Sequence, residues 1–181
     1  MKPGQMLLNL GAAVALSTSA LAPPSHGRIL LPDGATIASL QLPDRIWVLS
    51  LHRPYAGLVV DGLKQLETRT WPWTKGRTWL AICAPKAVDM GPIRRYGEVA
   101  EARLGSAEPA LVGLVWVDKC RPLLPEDEPR AFFYEPGRYA FELTRVYKFR
   151  RPVPIAEAGL KKAPQWFARV ERRIVEAALA A

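Results

Sequence analysis

Cysteine is scarce in this 181-residue chain, and what little there is carries no metal-binding spacing. Cys83 and Cys120 each lie in an apolar, strand-like run, with no CxxC pair and no histidine at ligand distance in sequence. A zinc finger or ribbon is therefore excluded as a framework, and both thiols read as small buried hydrophobes, with nothing in the sequence favouring a disulfide between them. Histidine is equally sparse: His26 and His52 are the whole supply, and they are far apart. A two-histidine acid–base mechanism of the ribonuclease type is unsupported on that count. Walker-type loops, GxSxG, HExxH and EF-hand sequences are all missing, which leaves nucleotide hydrolysis, serine hydrolysis and common metal catalysis without a motif. No cofactor or metal is expected.

Acidic residues are also short. Seventeen face 25 lysines and arginines, giving a formal charge of +8 and a pI near 9.8. Such a balance favours an anionic partner, of which nucleic acid is the commonest, although basic charge can also serve solubility alone. Long apolar runs are missing too. Met6 to Ala22 is the best candidate, but Asn9, Ser17, Thr18 and Ser19 interrupt it and it is short for a membrane span. Its alanines and the Ala20-Leu21-Ala22 stretch resemble the core and cleavage site of a secretory signal, while the positive end holds only Lys2. Secretion, a weakly ordered tail and an over-extended start site all stay open for residues 1–44. A cytoplasmic location, no membrane partner and no specified oligomeric state are the expectations, with secretion as the alternative if that segment is a true signal.

With 49% apolar and 23% charged residues, the remainder suits one well-buried core and leaves little room for a second full domain. Arg45 to Leu51 reads as a strand buried on both sides. Pro54 opens a helix with Ala56, Val59, Val60 and Leu63 at core spacing, and Gly62 stops it. Leu66 to Trp71 is a strand, followed by the turn-rich Trp71-Pro72-Trp73-Thr74-Lys75-Gly76. Thr78 to Ala84 is a strand of aromatic and β-branched residues. Ile93, Tyr96, Val99, Ala100 and Leu104 predict one amphipathic helix running through Gly97. Leu111 to Val117 and Tyr139 to Phe149 are strands, Arg121 to Arg130 a surface loop, and Glu171 to Ala181 a terminal helix. Strands with so few helices predict a small curled sheet, not a doubly wound parallel one.

Charge concentrates in one place. Lys64, Glu67 and Arg69 follow Gly62 directly, and on a strand Glu67 and Arg69 share a face while Lys64 reaches back from the turn. A lysine partly desolvated beside a carboxylate can donate to phosphate or act as a base. A structural ion pair with Arg69 as a clamp is the plain alternative. Together with Leu49-Ser50-Leu51 before it, Gly76 to Ile82 after it, Ala110 to Val115, and Glu135-Pro136-Gly137-Arg138-Tyr139-Ala140-Phe141, this segment resembles the ASCH domain family, a relative of the PUA RNA-binding barrels. The likeness runs from about Arg45 to about Val170.

That resemblance implies an α+β fold, a PUA-like β-barrel of curled mixed or antiparallel sheet with two to three flanking helices, over residues 45–170, with 171–181 as a short helix. It implies RNA, single-stranded or structured, as the partner. Leu30 to Leu42 would add a strand or strap to the barrel. Two enzymatic readings stand beside binding: a metal-independent ribonuclease, and a hydrolase of a modified nucleoside similar to the acetylcytidine amidohydrolases. In those amidohydrolases a threonine stands three positions after the lysine, and here Glu67 does. A protein-interaction module is the third reading.

Candidate residues follow. Tyr55, Lys64 and Glu67 would carry any catalysis, with Arg69 and Arg138 lining the cleft. His52 and Tyr55 fall at a helix start, where backbone donors favour an anion. Trp73 is the candidate for stacking on a base, interleaved with Lys75 and Arg77, whereas Trp79 belongs to the core. Between Arg145 and Arg173 nine basic residues face Glu157 and Glu171, and Arg150, Arg151, Lys161 and Lys162 within that stripe are candidates to track phosphates.

Overall fold

Six strands form one mixed sheet in the order β2-β5-β4-β3-β1-β6. The structure, a computed structural model, describes residues 37–164 and 168–180. The expectations for the signal-like segment, for His26 and for most of the Leu30 to Leu42 strap fall on residues outside these, and Ile37–Leu40 forms a 3-10 turn. The strands are β1 (Arg45–Ser50), β2 (Leu66–Arg69), β3 (Thr78–Ala84), β4 (Ala110–Pro122), β5 (Tyr139–Pro154) and β6 (Ala168–Glu171). The helices are α1 (Tyr55–Val60), α2 (Met90–Tyr96), α3 (Glu98–Glu101), α4 (Glu128–Ala131) and α5 (Arg172–Ala180). Only β1 and β3 run parallel; every other neighbouring pair is antiparallel.

Both faces of the sheet are covered, which is why its central strands carry apolar residues without alternation. On one face Ile46, Val48, Trp79, Ala81 and Leu114 pack with Val175 and Ala178 of α5. On the other, Leu49, Leu80, Ile82, Val115 and Phe141 pack with Ala56, Val59 and Val60 of α1. Gly113 allows that second layer to close: a Cβ there would stand 2.6 Å from Val60 Cγ1 and 2.7 Å from the Tyr147 carbonyl. The register between β4 and β5 shifts at Leu111/Gly113 and again around Val117, irregularities that bend two long strands.

The sheet is curled and mixed, as the sequence implies. It is not closed into a barrel: β2 and β6, four residues each, stand at opposite ends of the order with no pairing between them among the described residues. Two further expectations need correction. The helix across Gly97 is two helices, because Gly97 takes φ 51°, a left-handed value that ends α2 and starts α3. The stretch from Arg121 to Arg130 is not a plain surface loop; it finishes β4, makes a 3-10 turn at Pro125–Asp127 and enters α4. Asp127 is buried there, 4% exposed, because Arg121 grips it with contacts of 2.5 and 2.8 Å. Both cysteines are free thiols. Among the described residues no helix is long and apolar enough to cross a membrane.

Candidate functional site

A cavity of about 420 Å³ opens where the parallel strands β1 and β3 end, between α1, β2 and the segment leading into β5. Its lining includes His52, Tyr55, Lys64, Glu67, Arg69 and Arg138, together with Asp89, Phe133 and Pro164. The chain reaches this geometry by simple means. Gly62 takes φ 74° after α1, and the Leu63 and Lys64 amides both donate to the Leu58 carbonyl, so the turn delivers Lys64 straight into β2.

Lys64 lies at the floor and is 2% exposed. Its ammonium donates to the carbonyls of Leu66 and Ala131, both at 2.6 Å, and stands 3.4 Å from Glu67 Oε2. Three donors therefore meet three acceptors. Burial lowers the pKa of Lys64 from its ordinary value, while the neighbouring Glu67 carboxylate opposes that shift. Glu67, 5% exposed, faces Arg69 Nε at 3.0 Å through its other oxygen. Arg69 also donates to the Ser50 carbonyl at 3.0 Å, tying β2 to the end of β1. The clamp and the cavity floor are thus the same set of groups.

Tyr55 stacks its ring 5.1 Å from the Lys64 ammonium. Burial pushes its hydroxyl pKa up, with the Asp89 and Glu67 carboxylates adding to the effect and Arg138 partly offsetting it. The phenol consequently stays protonated and can donate. Arg138 lies over the Phe133 ring at 4.9 Å and donates to Glu135 at 2.9 Å and to the Thr68 carbonyl at 3.1 Å. Its Nε is buried and has no hydrogen-bond partner among the described residues. Asp89 caps α2, accepting from the Gly91 amide at 2.8 Å. Among the described residues no three His, Cys, Asp or Glu side chains converge as a metal-binding group.

The remaining candidates lie elsewhere. Trp73 is 8% exposed, packs its ring 6.0 Å from Phe141 and donates its indole N–H to the Gly76 carbonyl at 2.6 Å. It is a packing residue and not a platform facing solvent, because the Trp71 to Gly76 turn folds it inward. Lys75 borders a separate hollow of about 170 Å³ beside Trp47 and Trp71, and Arg77 pairs with Asp118 at 2.9 Å. Arg150 and Arg151 are exposed on β5, Arg151 paired with Glu157 at 3.0 Å, and neither lines the main cavity. Exposed Lys161 and Lys162 precede Pro164, which does line it. The expected anion site at the start of α1 is lost as well, since that helix has six residues and its Ala56 and Leu58 amides already bond the His52 and Pro54 carbonyls. Asp89 and Phe133 were not anticipated. An aspartate just before Met90-Gly91-Pro92 is a helix-cap signal, whereas nothing local marks Phe133.

The ASCH domain family matches residues 49–150, more than half of the chain. This chain belongs to the ASCH domain family. A crystal structure of ASCH from Zymomonas mobilis shares the fold, with a TM-score of 0.51 and 17% identity over 72% of this chain and 90% of that one. Shorter likenesses are to activating signal cointegrator 1, 46% identical over 41 residues in Homo sapiens and 47% over 36 residues in Mus musculus. Those segments cover 22% and 19% of this chain, and only 7% and 6% of the cointegrators.

Proposed function

We propose that this protein binds RNA, single-stranded or structured, with one part of the strand entering the cavity between α1, β2 and β5. The observation that carries this reading is the convergence of Tyr55, Glu67, Arg69 and Arg138 on a hollow of about 420 Å³ in a chain of net charge +8. A volume in the range of roughly 300–1,000 Å³ suits a small organic group with a few polar contacts. Arg138 and Arg69 supply planar donors there, and Lys161 and Lys162 offer phosphate contacts outside. Membership of the ASCH family, related to PUA barrels, adds support. The ends of the domain, 45–170 with a helix beyond it, belong to the same proposal.

An enzyme at the same cleft is the second reading, favoured by one observation: a buried lysine of lowered pKa beside a carboxylate. It would be a metal-independent ribonuclease or a hydrolase of a modified nucleoside. Incubating the purified protein with labelled RNA, with and without chelator, and scoring retention and cleavage together separates the readings. Binding alone gives salt-sensitive retention without products, and Arg138→Ala weakens it about tenfold, the effect of losing a charge-assisted hydrogen bond. Cleavage that persists in chelator would replace binding by ribonuclease chemistry, and turnover of a free modified nucleoside would replace it by hydrolysis. Absence of retention on every RNA tested would remove the proposal.

A further inference from the structure

We infer, resting on the reading that the cavity binds RNA, that it takes one unpaired nucleobase and prefers those with an exocyclic amino group (adenine, cytosine and guanine) over uracil, with the Glu67 carboxylate accepting the amino N–H.

The inference starts from what the floor can and cannot do. An ionised carboxylate only accepts, and its two oxygens offer about four lone-pair positions. Glu67 presents one oxygen to Arg69 Nε at 3.0 Å and the other to Lys64 Nζ at 3.4 Å, so each oxygen keeps capacity for another donor. Lys64 has no such reserve, because its remaining hydrogens go to the Leu66 and Ala131 carbonyls. The floor therefore offers a ligand an acceptor.

The walls offer donors. Arg138 Nε is buried without a hydrogen-bond partner among the described residues, and the Tyr55 hydroxyl borders the same space. An acceptor flanked by donors complements a base edge on which an amino group adjoins a ring nitrogen, as N6 adjoins N1 in adenine and N4 adjoins N3 in cytosine. Carboxylates accept from exactly such amino groups when proteins read bases directly. Uracil puts carbonyl oxygens at both exocyclic positions of that edge, and an oxygen facing Glu67 would be repelled. A phosphate would be repelled in the same place. Base inside and phosphates outside, toward Lys161 and Lys162 next to Pro164, is the arrangement that satisfies both ends of the nucleotide.

The test uses the full chain and nonamers of uridine in which the central base alone is varied, with affinities read by calorimetry or anisotropy. Central adenine, cytosine or guanine is expected to bind about tenfold to a hundredfold more tightly than uracil, the range for a hydrogen bond to a charged group. Glu67→Gln should bring that ratio down to within about threefold while leaving the all-uridine nonamer near its original affinity. Competition of bound RNA by free cytidine against free uridine on the unaltered protein repeats the comparison without relying on any variant. Equal binding of all four nonamers, or a ratio that survives Glu67→Gln in folded protein, overturns the inference while leaving RNA binding standing. No binding of any nonamer removes the RNA reading, and this inference with it.

Discussion

At the scale of single residues, Lys64 does the most with one side chain. It joins β2 to α4 through the Ala131 carbonyl and holds Glu67 at the cavity floor, all while 2% exposed. Lys64→Ala would strand Glu67 with one counter-ion and leave two carbonyls unpaired. It should lower the unfolding free energy by about 3 kcal/mol, the scale for breaking a buried pair by removing one partner, measured as a shifted urea midpoint at constant slope. Asp127 gives a different test. Hydrogen bonding from Arg121 is the main cause holding its carboxyl below the usual carboxylate range, with the Leu124 amide contributing. A depressed folded pKa contributes stability that is present in full above the unfolded value of about 3.9 and is lost as pH falls through the folded one. Asp127→Asn should therefore reduce stability at pH 7 and flatten its fall below about pH 4, as read by thermal unfolding across pH. The sequence identified the charged residues at 64, 67 and 69 as one cluster. It did not distinguish an exposed ammonium from one spent on backbone carbonyls, because that depends on where Ala131, 67 positions along, comes to rest.

Elements were legible where their signal was local. The aromatic and β-branched run at β3 matches its observed ends, and the glycine stop after α1 falls where expected. Failures occurred where a local signal could be read two ways. Apolar spacing from Ile93 to Leu104 fits one helix, yet Gly97 adopts a left-handed backbone and divides it. Proline and acid between Arg121 and Arg130 suggest a loop, yet Arg121 draws Asp127 into the interior. Trp73 in a turn suggests an exposed ring, yet Phe141 of β5 receives it. Packing between elements also gives a sharp prediction at Gly113, where added bulk meets Val60 and the Tyr147 carbonyl. Gly113→Ala should cost about 1–3 kcal/mol by overpacking and push α1, with Tyr55 at its start, away from the sheet. The readout is a lowered urea midpoint accompanied by weaker RNA retention; a variant as stable as the parent would contradict the packing described.

For the whole molecule, the excess of positive charge should express itself through salt. Several basic residues of the carboxy-terminal stripe are paired, Lys148 with Asp61 at 2.7 Å and Arg172 with Asp44 at 3.2 Å among them. Arg145 and Arg169 lie over Trp116 and Trp47, at 5.6 and 3.8 Å. Exposed Lys161 and Lys162, close in sequence to the cavity wall at Pro164, are the pair placed to neutralise phosphates of a strand entering it. Replacing both by alanine should reduce the slope of log affinity against log salt by about 1.4, at about 0.7 per phosphate contact on a single strand. Base preference should be untouched by the change, since phosphate contacts carry no sequence information. An unchanged slope in a titration from low to moderate salt would place the electrostatic contacts elsewhere on the surface.

By itself the sequence determined the kind of sheet, the family and the gathering of Lys64, Glu67 and Arg69, because continuous apolar strands, a glycine stop and a two-residue strand period act over a few neighbours. Tertiary structure alone decided that the sheet stays open, that Trp73 turns inward, and that Arg138 and Phe133 meet Tyr55 across a hollow. Those outcomes come from strands and segments separated by tens of residues settling against one another, and no spacing within a short window records such contacts.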